Sequence, residues 1–158
     1  MWAGRRTRRQ RRRRRTQSMT PELRDKLLHF CNDNEPFLTH NYMRMTDADD
    51  GTATIVLPMQ ENSLNRWGGA HGGILFSLCD VATGMAIMSV RQEKVVTVNA
   101  SIDYLAAASA GSTLTAVGRV DRVGGKLAFC TAEIADETGK VVVRSHTVMC
   151  FTGKKLEL

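Results

Sequence analysis

The chain has 158 residues, 42% hydrophobic and 24% charged, with a formal net charge of +6. That length supports one domain with a proper core rather than two, and the composition is that of a globular protein, not a fibrous or wholly disordered one. The charge is concentrated: Arg5, Arg6, Arg8, Arg9 and Arg11 to Arg15 supply nine of 22 basic residues, and the other 13 face 16 acidic ones, so the body of the chain lacks the basic excess of a nucleic-acid surface.

In chain order, residues 1–18 form an Arg-rich tail with nothing to build a core, expected to be a disordered extension. Such a run also suits a nuclear address, an RNA-binding arm, a patch for anionic lipid or a transit peptide. Residues 19–158 are expected to form one domain. It begins at Thr20-Pro21-Glu22, with Thr as N-cap, Pro at the first helical position and an acid in the first turn. Leu23, Leu27, Phe30 and Cys31 give that short helix an apolar stripe as far as Asn32 to Asn34.

Asp47 to Gly51 reads as a turn, and Thr52 to Leu57 as a strand closed by Pro58. A long helix is predicted from Gly73 to Val90, apolar on nearly all sides and interrupted by Ser77, Asp80 and Thr83. From Lys94 the pattern changes to period two, with Val96, Val98, Ala100 and Ile102 on one side. Strands follow at Ser112 to Val120, Lys126 to Ala135 and Val141 to Thr152, joined by hairpin chemistry at Asp121–Gly125 and Asp136–Gly139. One buried helix with a long antiparallel sheet predicts an α+β fold in which the sheet curls around the helix.

No apolar run reaches the ~18 residues of a membrane span, and no membrane partner is expected. Cys31, Cys79, Cys130 and Cys150 lie in apolar or alternating segments without paired spacing, which suits free thiols and a cytoplasmic protein. His29, His40 and His146 have no ligand spacing, so no metal is expected. Gly-x-Ser-x-Gly, a P-loop and a dinucleotide fingerprint are absent.

The chemistry concentrates between Asn65 and Asp80. His71-Gly72-Gly73 opens the apolar helix, and Asp80 follows nine residues after His71. Glycines at a helix start leave N–H groups open where the dipole favours negative charge. A donor for an oxyanion and a carboxylate that can act on water thus occur in one segment, as acyl-group hydrolysis requires.

Asn65, the His71-Gly72-Gly73 turn six residues on and Asp80 on the following helix resemble the PaaI-like acyl-CoA thioesterases of the hotdog-fold superfamily. Thr97 stands where that family often places a hydroxyl residue, and the Asp136-Glu137-Thr138-Gly139 hairpin is similar to its C-terminal portion. The resemblance covers nearly all of residues 19–158. It implies a hotdog fold and hydrolysis of an acyl-CoA to free acid and CoA, with no cofactor beyond the CoA of the substrate. It also implies a homodimer or homotetramer, with Asp80 and Thr97 facing the glycine turn of a neighbouring subunit.

Asp80 is then general base or nucleophile, and Gly72 or Gly73 the amide that polarises the thioester carbonyl. His71 orients the turn or bonds substrate, and Asn65 holds water or carbonyl or shapes the loop. Arg122 and Lys126, flanking Gly124-Gly125, are candidates for the CoA phosphates. Trp67, Met85 and Met88 are candidates for the acyl pocket. The alternative is an acyl-CoA-binding or sensor protein without turnover on the same fold. The acyl group stays open.

Overall fold

The computed structural model describes residues 18–158, so the arginine run and the readings placed on it lie outside the described residues. Helix α1 spans Pro21–Asn34 and starts as expected: the Thr20 hydroxyl accepts from the Leu23 N–H at 3.2 Å. It buries Leu27 and Cys31 against the core. Besides a single 3-10 turn, two elements escaped the sequence reading. A five-residue helix α2, Pro36–His40, follows α1, and a strand β1, Arg44–Asp49, precedes the turn at Asp50 and Gly51. In β1 only Met45 and Ala48 are buried, and a bulge between Met45 and Asp47 breaks its alternation, so no periodic signal survives. Asn32 of α1 supplies that edge strand with the partners it lacks, donating to the Met45 carbonyl at 3.0 Å and accepting its N–H at 2.9 Å.

The remaining elements are β2 (Thr52–Pro58), a single 3-10 turn (Glu61–Ser63), α3 (Gly72–Val90), β3 (Glu93–Tyr104), β4 (Thr113–Val123), β5 (Leu127–Ala135) and β6 (Val141–Lys155). The six strands form one antiparallel sheet in the order β1-β2-β4-β5-β6-β3, curled around α3. The expected α+β arrangement is therefore present, with one strand more than predicted. Strand β4 runs through the predicted hairpin loop to Val123, past a bulge between Val120 and Arg122, and the turn shrinks to Gly124–Lys126.

Contrary to the sequence reading, α3 is long and apolar enough, by length and composition, to cross a membrane. Here it is the core helix. Leu75, Leu78, Cys79, Ala82, Ala86 and Ile87 are buried against the sheet. Inward-facing Ile55, Leu57, Leu114, Ala116, Ile134 and Val143 complete the main core.

All four cysteines are free thiols. Burial pushes the Cys31 and Cys130 thiols up to about 12 and that of Cys79 to about 11. Folded protein is expected to react with a thiol-selective reagent at one site, the half-buried Cys150, and at the other three only after unfolding. A titration showing two or more reactive thiols in the native state would contradict this packing. The same raised values make the fold lose stability as pH climbs from 9 towards 12, a window in which the unfolded chain releases those protons and the folded one retains them.

Candidate active site

The loop before α3 is built around Asn65. Its side-chain oxygen accepts the Trp67 N–H at 2.8 Å and the Gly69 N–H at 3.3 Å, and its amide nitrogen donates to the Ala70 carbonyl at 3.1 Å. These bonds hold the loop in shape. His71 is next, fixed by its own N–H donating to the Ser63 carbonyl at 2.8 Å. It is the N-cap of α3: its Nδ1 accepts the Gly73 N–H at 2.9 Å. An accepting Nδ1 leaves the ring proton on Nε2, which points away from the cap.

The two glycines are thereby distinguished. Gly73 has its N–H engaged by His71, whereas among the described residues the Gly72 N–H has no hydrogen-bond partner. The Gly72 amide is the free donor at the positive end of the helix. Tyr104, at the end of β3, donates its hydroxyl to the Gly72 carbonyl at 2.9 Å and holds the turn from the far side. A recess of about 550 Å³ opens here, with Asn65, Gly72, Gly73 and Tyr104 among its walls.

Asp80 is half-buried on the face of α3 that meets β3, and its Oδ1 accepts the Thr97 hydroxyl at 2.7 Å. Thr97 reaches it because of a bulge between Thr97 and Asn99. Before the bulge Val95 and Thr97 face the helix; after it Ala100, Ile102 and Tyr104 do, a change of parity that a straight strand does not allow. Val96 and Val98, grouped by the alternation with Ala100 and Ile102, point the other way and are 53% and 55% exposed.

Asp80 and Thr97 stand at the wall of a second cavity, about 570 Å³, otherwise lined mainly by Phe30, Phe37, Phe76, Met85, Met88 and Met149. Of the residues proposed for an acyl pocket, Met85 and Met88 are in its wall. Trp67 is 85% exposed and belongs to neither cavity. Arg122 and Lys126 are exposed, the first at the end of β4 and the second in the β4–β5 turn, and neither lines the cavity. Within one chain, eight residues of helix separate the Gly72 amide from Asp80, about 12 Å along the axis. The two groups open into different recesses. One carbonyl cannot touch both in a single protomer.

The sequence did not reveal Tyr104. Its one signal, position on an alternating strand, is reversed by the bulge.

A six-stranded antiparallel sheet wrapped round one long helix, with a carboxylate on that helix and a glycine turn at its start, defines a hotdog-fold protein. A family profile described as "Thioesterase superfamily" matches residues 68–143. A putative esterase of Pseudomonas aeruginosa is 35% identical over 51% of this chain and 61% of its own length. Acyl-coenzyme A thioesterase PaaI of Escherichia coli is 34% identical over 67% of this chain and 71% of its own. The solved structure of the Escherichia coli PaaI protein superposes with a TM-score of 0.81 at 26% identity, covering 86% of this chain and 98% of that one. A hypothetical thioesterase of Streptococcus pneumoniae, solved with coenzyme A, gives 0.68 at 30% identity over 72% and 90%. The chain belongs to the PaaI-like thioesterases of the hotdog superfamily.

Proposed function

We propose that the protein hydrolyses an acyl-CoA to the free carboxylic acid and CoA, in a site shared between two copies of the chain. The observation that carries this is Asp80, held by Thr97 at 2.7 Å on the wall of a mostly apolar cavity. Oδ1 is engaged by the threonine, and Oδ2 is left to act. The acyl group lies in the cavity and its carbonyl comes to Asp80. As base, Asp80 takes a proton from water while the oxygen attacks the carbonyl carbon; the carbon–sulfur bond then breaks, and CoA leaves as the thiol once reprotonated. As nucleophile, the carboxylate forms a mixed anhydride that water opens. Single-turnover hydrolysis in heavy-oxygen water tests for the second route: label in Asp80 requires an anhydride that water opens at the aspartyl carbonyl.

The oxyanion is received by the free Gly72 N–H of a second copy, because the same chain holds that amide about 12 Å away. The outer edge of β3 supports such pairing. It is a twelve-residue edge strand with β6 on one side only, and it exposes Val96, Val98 and Tyr104. A long apolar edge of this kind is an aggregation hazard unless covered. Thr97 is a positioning residue for the carboxylate, Asn65 for the glycine turn, and His71 offers its Nε2–H to the substrate. Arg122 and Lys126 remain the cations assigned to the CoA phosphates. Coenzyme A in the pneumococcal relative and acetyl-CoA in a Streptococcus mutans one support an acyl-CoA ligand. The free thiols support a reducing, cytoplasmic setting.

A panel of acyl-CoA esters, read by release of the CoA thiol, tests this. Turnover of at least one ester is expected. Asp80→Asn is expected to lower it about a hundred- to ten-thousand-fold, and Thr97→Val by roughly tenfold. Tight binding of acyl-CoA without release of thiol would make the protein a binding module.

A further inference from the structure

Two glycines lie where α3 meets the sheet, and they differ. At Gly118 of β4 a β-carbon would stand 2.3 Å from the Ala82 carbonyl oxygen of α3, so packing forbids any side chain. At Gly84, in the middle of α3, a β-carbon would meet nothing closer than Met149 Cε at 3.7 Å and Sδ at 3.9 Å, which is ordinary contact. Gly84 adopts helical backbone without a positive φ. Neither packing nor conformation calls for glycine there, and a glycine weakens a helix interior relative to alanine. The absent side chain leaves space, and that space belongs to the cavity beside Asp80, whose wall includes Gly84.

The position of that space is specific. Ser77, Asp80, Val81, Gly84, Met85 and Met88 of α3 all line the cavity, one stripe of the helix at three- and four-residue spacing. From Asp80 to Met88 the stripe runs about 12 Å. Gly84 is one turn past Asp80 and lies between it and Met88 along the stripe. Met149 stands opposite with room for about one carbon between, and it is unbranched and pliable, as Met85 and Met88 are, so it yields to a passing chain.

Resting on the thioesterase reading, we infer that Gly84 is the specificity-determining residue of the acyl subsite, and that its missing side chain admits straight acyl chains of medium length past the carboxylate. An acetyl group ends before Gly84 and leaves the methionine-lined part of the cavity unfilled. A longer straight chain passes over Gly84 and exchanges water for Met85, Met88 and Met149.

The experiment compares wild type, Gly84→Ala and Gly84→Leu on acetyl-, butyryl-, octanoyl- and dodecanoyl-CoA. Each methylene excluded from an apolar site is worth roughly fourfold. The octanoyl-to-acetyl ratio of kcat/KM is expected to fall about fourfold in Gly84→Ala and tenfold to a hundredfold in Gly84→Leu. Gly84→Ala is also expected to melt no lower than wild type, which guards against a folding defect in the larger variant. Equal losses at every length, or no change in the ratio, would overturn the assignment. S-octyl-CoA and S-ethyl-CoA, thioethers that cannot be hydrolysed, separate this from failure of the thioesterase reading. If wild type releases no thiol from any ester, a preference for S-octyl-CoA in calorimetry that Gly84→Leu abolishes still upholds the subsite. Equal affinity for the two thioethers overturns it.

Discussion

Asp80→Asn and Gly72→Pro proteins, each nearly inactive alone, are expected to recover about a quarter of wild-type turnover when unfolded and refolded together in equal amounts. The number follows from the proposed geometry. A mixed dimer pairs the intact Asp80 of one chain with the intact Gly72 of the other in one of its two sites, and random pairing makes half of the dimers mixed. Proline suits this test because it deletes the amide proton with little else. Gly72 is the first helical residue, where proline's fixed φ is favourable and no intrahelical bond is lost. His71 before it, at φ −69° and ψ 132°, already has the extended backbone that a following proline demands. The added β-carbon would come within 3.2 Å of the Tyr104 hydroxyl, so Gly72→Ala, which carries the same carbon and keeps its N–H, is the control. Loss of an oxyanion donor lowers turnover by about a hundred- to a thousandfold. A refolded mixture that stays at the level of its parents would show that Asp80 and the Gly72 amide do not meet across two chains.

Much of this site is legible in the linear chain because its parts are local. A histidine and two glycines at a helix start, and a lone carboxylate two turns on within an apolar helix, announce themselves by residue type. The fold is legible for a similar reason: α3 is apolar all round, and β5 buries every second residue. What stays hidden depends on strand parity and on partners distant in sequence. The bulge after Thr97 reverses which side chains of β3 face the helix, so the alternation there groups exposed Val96 and Val98 with inward-facing Ala100 and Ile102 and gives no sign of Tyr104. Strand β1 is hidden because Asn32, thirteen residues earlier, supplies the bonds that its own residues do not advertise. Nor does the sequence separate Gly72 from Gly73. Only the His71 ring, by engaging one amide, leaves the other free.

The same distinction between kinds of glycine gives the largest stability effect expected of a methyl group added at any described glycine. At Gly118 the helix backbone lies directly on β4: a β-carbon would stand 2.3 Å from the Ala82 oxygen, 2.4 Å from the Ala82 carbonyl carbon and 2.8 Å from the Thr83 nitrogen. These are backbone atoms and cannot turn aside. The approach is prepared on both flanks, since Gly118 pairs with Ala53 of β2 and Ala132 of β5, a row of small buried residues across three strands beneath Ala82. Gly118→Ala must lift α3 from the sheet or distort β4, at a cost on the order of 2–4 kcal/mol, which lowers the melting temperature by roughly 5–15 °C. Gly125→Ala, in the β4–β5 turn with open space around it, is the control and should melt as wild type does. Calorimetry of the three proteins decides the matter, and a Gly118→Ala protein melting with the control would mean that the helix does not sit so close. The effect extends to catalysis because α3 carries Gly72 at its start and Asp80 at its middle. A helix shifted by even a fraction of an ångström changes both, so the folded fraction of Gly118→Ala should hydrolyse less than its share.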